Sequence, residues 1–359
     1  MMISVLVDLL FFTGTRGGME SYVRELYARM PREGFRYVAL ASRELAVTDT
    51  SWFPGEVVDS GISASRRVDW ALGEILSVPR WSRRLGSDVI HSPANIGPWF
   101  SRTPVVLTIQ DLLPYRHPGF IAGRYGGVLR SLLRFGARHA VIILTISAAS
   151  KADIQHYLKV PPTKIVVTPL AGPPPQDTTS SAREPAMLLA LGNRLPHKNF
   201  ERLLNALALI PPAYRPTLVI TGGPPSDPLR VVVDHLGLSE SVTLLGWVTQ
   251  TELDSLYQRA SAAIVPTLFE GFGLPLLEAM ARGCPVICSD LPVLREVAGD
   301  AAIFFDPLSP RAISEAIVAA LSNHSLLRQL QADGLLRARQ FSWDATAQGT
   351  AEAFQRAST

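Results

Sequence analysis

A chain of 359 residues with 47% apolar and 18% charged side chains fills more than one ordinary core and is neither disordered nor fibrous, so two domains are expected. The net charge of +3 hides an asymmetry: residues 1–172 carry 20 basic against 13 acidic side chains, or +7, and residues 173–359 carry 14 against 18, or −4. Many of the basic half's arginines lie in two stretches, Arg66, Arg67, Arg80, Arg83, Arg84 and then Arg124, Arg130, Arg134, Arg138. These fit either solvated helix faces or contact with an anionic bilayer or a pyrophosphate-linked acceptor, and, scattered as they are, they define no binding groove and give no case for nucleic acid.

Short β-rich runs alternate with longer amphipathic ones along the chain, the pattern of parallel sheets with helical crossovers. Strands are predicted over 3–9, 37–41, 89–92, 105–109, 141–146 and 165–168, with helices such as 20–30 and 147–157 between them. The run from Thr13 to Glu20 follows the first strand and opens a helix, so the amides of Gly17 and Gly18 can face a phosphate. Asp111 ends another strand, where it either orients an acceptor hydroxyl or caps a helix. Residues 172–181 have the proline-rich, small polar composition of a linker. Strands then resume over 187–191, 217–221, 242–245, 262–266, 286–289 and 302–305, with helices over 199–209, 251–259, 275–282 and 310–322. The fold expected is α/β, with two doubly wound, Rossmann-like domains over 1–175 and 176–342 and ligands at the carboxyl ends of the strands.

Cys284 and Cys288 sit on one apolar strand, where four residues span about 13 Å, beyond disulfide reach. Buried thiols in a reducing compartment are expected. No segment is long and apolar enough to span a bilayer, and Asp8 interrupts an N-terminal apolar stretch that lacks a positive leader. A cytoplasmic protein is expected, at most touching a membrane.

The most informative stretch runs from Pro266 to Met280. It follows a strand and opens a helix, with Gly271 and Gly273 admitting close approach of a ligand and Pro275 suiting the first turn. The amides of such a turn suit a diphosphate. Glu270 and Glu278 flank the loop. Among 15 glutamates a pair eight apart arises by chance roughly half the time, and Glu25 with Glu33 is such a pair without a glycine loop, so context carries the assignment. Glu270 can accept sugar hydroxyls and Glu278 ribose hydroxyls. After the first strand of the second domain, Lys198 offers a compact charge for the diphosphate, with Arg194 as a second cation. No cluster of His, Cys and acidic residues has ligand spacing and no Asp-x-Asp occurs. No metal and no cofactor is therefore expected, and the protein itself has to neutralise the leaving diphosphate.

These motifs, in order over nearly the whole chain, resemble retaining glycosyltransferase family 4, of the GT-B fold. Glu270 to Glu278 is similar to that family's E-x7-E motif, Gly17-Gly18 to its donor-phosphate loop and Lys198 to its leaving-group lysine. Thr145-Ile146-Ser147 with Lys151 resembles the usual end of its first domain. Phe341-Ser342-Trp343 resembles the start of a last helix, about 343–359, that crosses back onto domain one. Two positions depart from the pattern: Gln110-Asp111 stands where the family has His-Asp, and Asn193 where its arginine directly follows the glycine. The resemblance implies two domains facing a central cleft, with Val248, in Gly246-Trp247-Val248, against the base and Phe272, Gly273 and Leu274 donating amides to phosphate and sugar. It implies transfer of a hexose, mannose from GDP-mannose ahead of a UDP-hexose, to a glycan or lipid-linked acceptor. Alternatives are a sugar-nucleotide epimerase or hydrolase of similar fold, which would consume donor without acceptor, and a non-catalytic partner subunit.

Overall fold

The computed structural model describes residues 2–14, 17–121, 123–175 and 183–359. The chain forms two compact units, Met1–Leu170 with Ser342–Thr359, and Ala171–Phe341. Most of the linker-like run lies outside the described residues, as do Thr15 and Arg16.

In the first unit β1 (Ile3–Leu9), β2 (Phe35–Ala41), β3 (Glu56–Asp59), β4 (Val89–Ser92), β5 (Val105–Thr108), β6 (Ile142–Thr145) and β7 (Ile165–Val167) form a sheet of order 3-2-1-4-5-6-7. β1 runs parallel to β2 from Ile3 opposite Phe35 to Leu9 opposite Ala41, and to β4 on its other edge. Central strands are buried on both faces, which is why they read as near-continuous apolar runs. The edge strand β3 is the strand that the sequence pattern misses, because Glu-Val-Val-Asp is short and half-exposed, with a charge at each end. Leu6, Val38, Ile90, Leu107 and Ile143 of the strands pack with Leu133 and Ala137 of helix Gly123–His139.

The second unit repeats the plan. β8 (Met187–Leu191), β9 (Thr217–Thr221), β10 (Val242–Leu244), β11 (Ala262–Val265), β12 (Val286–Ser289) and β13 (Ile303–Phe305) order as 10-9-8-11-12-13, all parallel. Leu188, Leu218, Ile220, Ile264 and Ile287 meet Leu203 and Leu207 of helix Phe200–Ala208 and Ile317 of helix Pro310–Leu321. Both cysteines are unpaired and buried, and burial pushes the Cys284 thiol up to about 11. Among the described residues no helix is long and apolar enough to cross a membrane.

The last helix, Trp343–Ser358, starts at Ser342, whose hydroxyl accepts from the amides of Asp344 and Ala345. It belongs to the first unit. Trp343 lies 6.2 Å from the Tyr22 ring, Thr346 donates to the Pro169 carbonyl, and Phe354 packs 5.1 Å from His91. His91 is itself fully buried, bonded to Tyr27 at 2.6 Å and Thr108 at 2.9 Å. Burial lowers its pKa to about 3, so it stays neutral.

Candidate active site

Ligands of a doubly wound sheet bind outside the carboxyl ends of the two strands at which the order reverses. In the second unit these are β8 and β11, and the loops that leave them carry Lys198 and Glu270. The Lys198 ammonium lies 2.7 Å from Glu270 Oε1, and both side chains are largely buried. The approach is built in. Asn199, at a φ of 61°, donates to the carbonyls of Pro266 at 2.8 Å and Pro307 at 2.9 Å, and the Leu268 amide donates to the His197 carbonyl at 2.7 Å. Gly192 at the end of β8 leaves room for the lysine, since a Cβ there would lie 3.3 Å from its stem. Glu270 takes one of the three donors of the ammonium, which leaves the others for a ligand.

The Glu270 loop runs into helix Leu274–Ala281 through Gly273, whose φ of 104° is a left-handed value. The amides of Leu276 and Leu277 already donate to the Gly273 carbonyl, at 3.0 and 3.2 Å, and Pro275 has none. The donors left are the amides of Phe272, Gly273 and Leu274, which have no partner among the described residues. The Phe272 side chain is buried with its ring edge-on to Phe341, so the group this residue has left for a ligand is its backbone amide. Glu278, one turn into the helix, is half-buried beside Tyr257 and Arg282. Burial raises its pKa, opposed by the Arg282 charge and the Tyr257 hydroxyl.

Arg194 sits differently from a free second cation. Its side chain is 6% exposed, pairs with Asp227 at 2.6 Å, and donates to the carbonyls of Gly192 at 2.8 Å and Thr221 at 2.9 Å. The geometry makes it a brace between the loops after β8 and β9. Asp227 has no motif in the sequence, and only the bare Gly223 beside it hints at crowding: a Cβ there would fall 2.3 Å from the Asp227 carboxylate. A cavity of about 650 Å³ opens beside this brace, lined by Gly223, Asp227, Arg230, Gly246 and Trp247. Val248 is half-buried next to it in sequence, ahead of the reciprocal Thr249–Glu252 cap of helix Gln250–Arg259.

In the first unit Gly17 and Gly18 are exposed at the start of helix Gly18–Tyr27, with open space where side chains would stand. The loop before them is held by Glu20, which sequence reasoning did not single out: its carboxylate accepts from the amides of Thr13 at 2.8 Å and Gly14 at 3.1 Å. Asp111 accepts from the Leu113 amide at 2.9 Å, a helix-start contact. Beside it the Gln110 side-chain nitrogen Nε2 is buried without a hydrogen-bond partner among the described residues. Among the described residues no group of three His, Cys, Asp or Glu side chains could hold a metal ion.

Two Rossmann-like parallel sheets, with a lysine and a glycine-led helix start at the switch point of the second, define a GT-B glycosyltransferase. The chain belongs to glycosyltransferase family 4: residues 16–171 match the model described as Glycosyltransferase Family 4, and residues 176–335 the one described as Glycosyl transferases group 1. It is 31% identical over 290 residues to the O-antigen chain mannosyltransferase B of Escherichia coli, covering 77% of this chain and 76% of that one. Over 352 residues it is 30% identical to the MMP alpha-(1->4)-mannosyltransferase of Mycolicibacterium hassiacum, covering 92% and 82%. Sucrose-phosphate synthase from Thermosynechococcus elongatus shares the fold at a TM-score of 0.79 and 19% identity, covering 99% of this chain and 98% of that one. The protein is thus a nucleotide-sugar-dependent hexosyltransferase.

Proposed function

We propose that the chain transfers mannose from GDP-mannose to a glycan or lipid-linked acceptor, with retention at the anomeric carbon and without a metal ion. Mannose is supported by the names of the two relatives. The observation that carries the mechanism is the Lys198 ammonium, held 2.7 Å from Glu270 and following the strand next to the one that leads to the partnerless amides of Phe272, Gly273 and Leu274. The bond from the anomeric carbon to the diphosphate oxygen breaks, and the acceptor oxygen bonds to that carbon on the same face. The acceptor's proton passes to the departing phosphate. Lys198 and the helix-start amides stabilise the charge that develops there. Glu270 accepts from sugar hydroxyls, Glu278 from the ribose, and backbone near Val248 borders the base. Arg194 positions the Lys198 loop, and Asp111 orients the acceptor hydroxyl. The unpaired, buried cysteines support a reducing, cytoplasmic setting.

The test is turnover of GDP-mannose in excess chelator. Wild-type enzyme should retain activity there, and Lys198→Ala should lose about 3 kcal/mol of transition-state stabilisation, roughly a hundredfold or more in kcat. Unchanged turnover by the variant would remove the lysine from the mechanism. Activity abolished by the chelator would remove metal independence, and turnover of UDP-hexoses alone would remove the donor.

A further inference from the structure

Arg80, Arg83 and Arg84 of one arginine stretch and Arg134 and Arg138 of the other, remote in sequence, lie on neighbouring segments of the first unit. Helix Val78–Leu85 leads into β4, the loop around Phe100 into β5 and helix Gly123–His139 into β6, and these three strands are adjacent. The loop is tied to both helices: Ser82 Oγ donates to Thr103 Oγ1 at 2.8 Å, and the Ser101 amide donates to His139 Nε2 at 2.8 Å. Arg80, Arg83, Arg84, Arg102, Arg134 and Arg138 are exposed on these three segments. None of the three carries an acidic residue. Asp88 stands nearby, with its carboxylate accepting from the Ser4 amide at 2.8 Å.

The loop adds aromatics to Trp81 and Phe135, which already stand among these arginines. Phe100 is 76% exposed, and Trp99 packs 5.1 Å from the half-exposed Phe135 of the long helix. Next to them a cavity of about 650 Å³ is lined by Trp99, Gly127, Val128, Ser131 and Leu132. The ordinary preference for cations at helix C-termini accounts for Arg83, Arg84 and Arg138. It does not account for Phe100, Val128 and Phe135, exposed among them.

We infer that this surface, at the amino ends of β4, β5 and β6, docks the protein on an anionic lipid bilayer. Its aromatic tips enter the interface while the arginines meet lipid phosphates. A second copy of the chain is a poorer occupant, since self-association would set arginine against arginine in the patch. The loops that carry Gly17 and Asp111 leave the opposite, carboxyl ends of the strands, so docking here leaves them open.

The test is co-sedimentation of the full chain with phosphatidylcholine vesicles, with and without phosphatidylglycerol, at low and high salt. Binding is expected only to the anionic vesicles and only at low salt. Arg134→Gln with Arg138→Gln should weaken it roughly twentyfold or more, about fivefold per arginine. Phe100→Ser should weaken it several-fold, and Lys198→Ala should bind as wild type does. Thermal unfolding unchanged in the surface variants shows that they fold. The inference is overturned by equal binding to neutral vesicles, by variants that bind as wild type, by no vesicle binding at all, or by binding to a soluble polyanion without vesicle binding. It is also overturned if Phe100→Ser converts a dimer to a monomer without altering vesicle binding.

Discussion

Asp8 near the end of β1 and Glu74 are each 1% exposed and close enough for each carboxyl group to shift the other's titration, and Glu74 Oε2 is buried with no partner among the described residues. Burial raises the pKa of both, and the Asp8 charge raises Glu74 further, which favours the protonated form of the pair. Trp70 Nε1 donates to Glu74 at 2.7 Å, and the Leu10 amide and Ser92 hydroxyl serve Asp8 at 3.2 Å each. A carboxyl whose folded pKa is raised contributes stability that is complete below the ordinary carboxylate range and is lost as pH climbs through the raised value. Glu74→Gln keeps an oxygen for Trp70 and supplies an N–H for Asp8 without titrating. Its urea midpoint should therefore fall less than that of the wild type between mildly acidic and alkaline pH; parallel curves would refute the raised titration of Glu74. Such pairings are hard to read from sequence, because Asp8 and Glu74 meet only through the fold. Lys198 and Glu270 are legible as parts of local motifs, although their contact depends on β8 lying next to β11. The opposite holds for Arg194. Its charge and loop suggest a phosphate ligand, while Asp227, 33 residues on, holds it in a brace.

At the scale of elements, helix Leu274–Ala281 depends on one backbone conformation. Gly273 has a φ of 104°, and a Cβ there would lie 2.6 Å from Leu294 Cδ2. Gly273→Ala pays for both the left-handed backbone and the clash, roughly 1–3 kcal/mol for the backbone alone. Relief would come by rotating the helix start, which redirects the amides of Phe272, Gly273 and Leu274. The expected outcome is a lower Tm together with a several-fold rise in KM for the donor; a fall in Tm with an unchanged KM would show that these amides do not hold it. The glycine is legible because a strand, a glycine loop and a proline-bearing helix start follow in order. Strand and helix positions are legible for the same reason, since buried parallel strands are apolar on both faces and their crossovers are amphipathic. The exceptions are also physical. β3 needs only two apolar residues at an edge, the expected 147–157 helix becomes Ala148–Asp153 continued by a wider turn over Ile154–Leu158, and the helices Leu229–His235, Pro292–Ala298 and His324–Ala338 are not among those expected.

At the scale of the whole molecule, the chain returns to its first unit only at its end. Helix Trp343–Ser358 buries Trp343, Thr346, Ala347, Thr350, Ala351, Phe354 and Ala357. Its Phe354 is fully buried against His91 and Phe35. The first unit's core is thus completed by residues made after the whole of the second unit. Two units with separate cores unfold as separable transitions when one is weakened. Phe354→Ala removes a large buried ring that has little room to collapse around neutral His91, and should cost about 3–5 kcal/mol. That loss falls on the first unit. Calorimetry should show one transition shifted several degrees downward while the other stays in place, and donor nucleotide held by the second unit should raise only the unshifted transition. A single transition that moves as a whole would mean that the two units unfold together, and the last helix would then stabilise the entire chain.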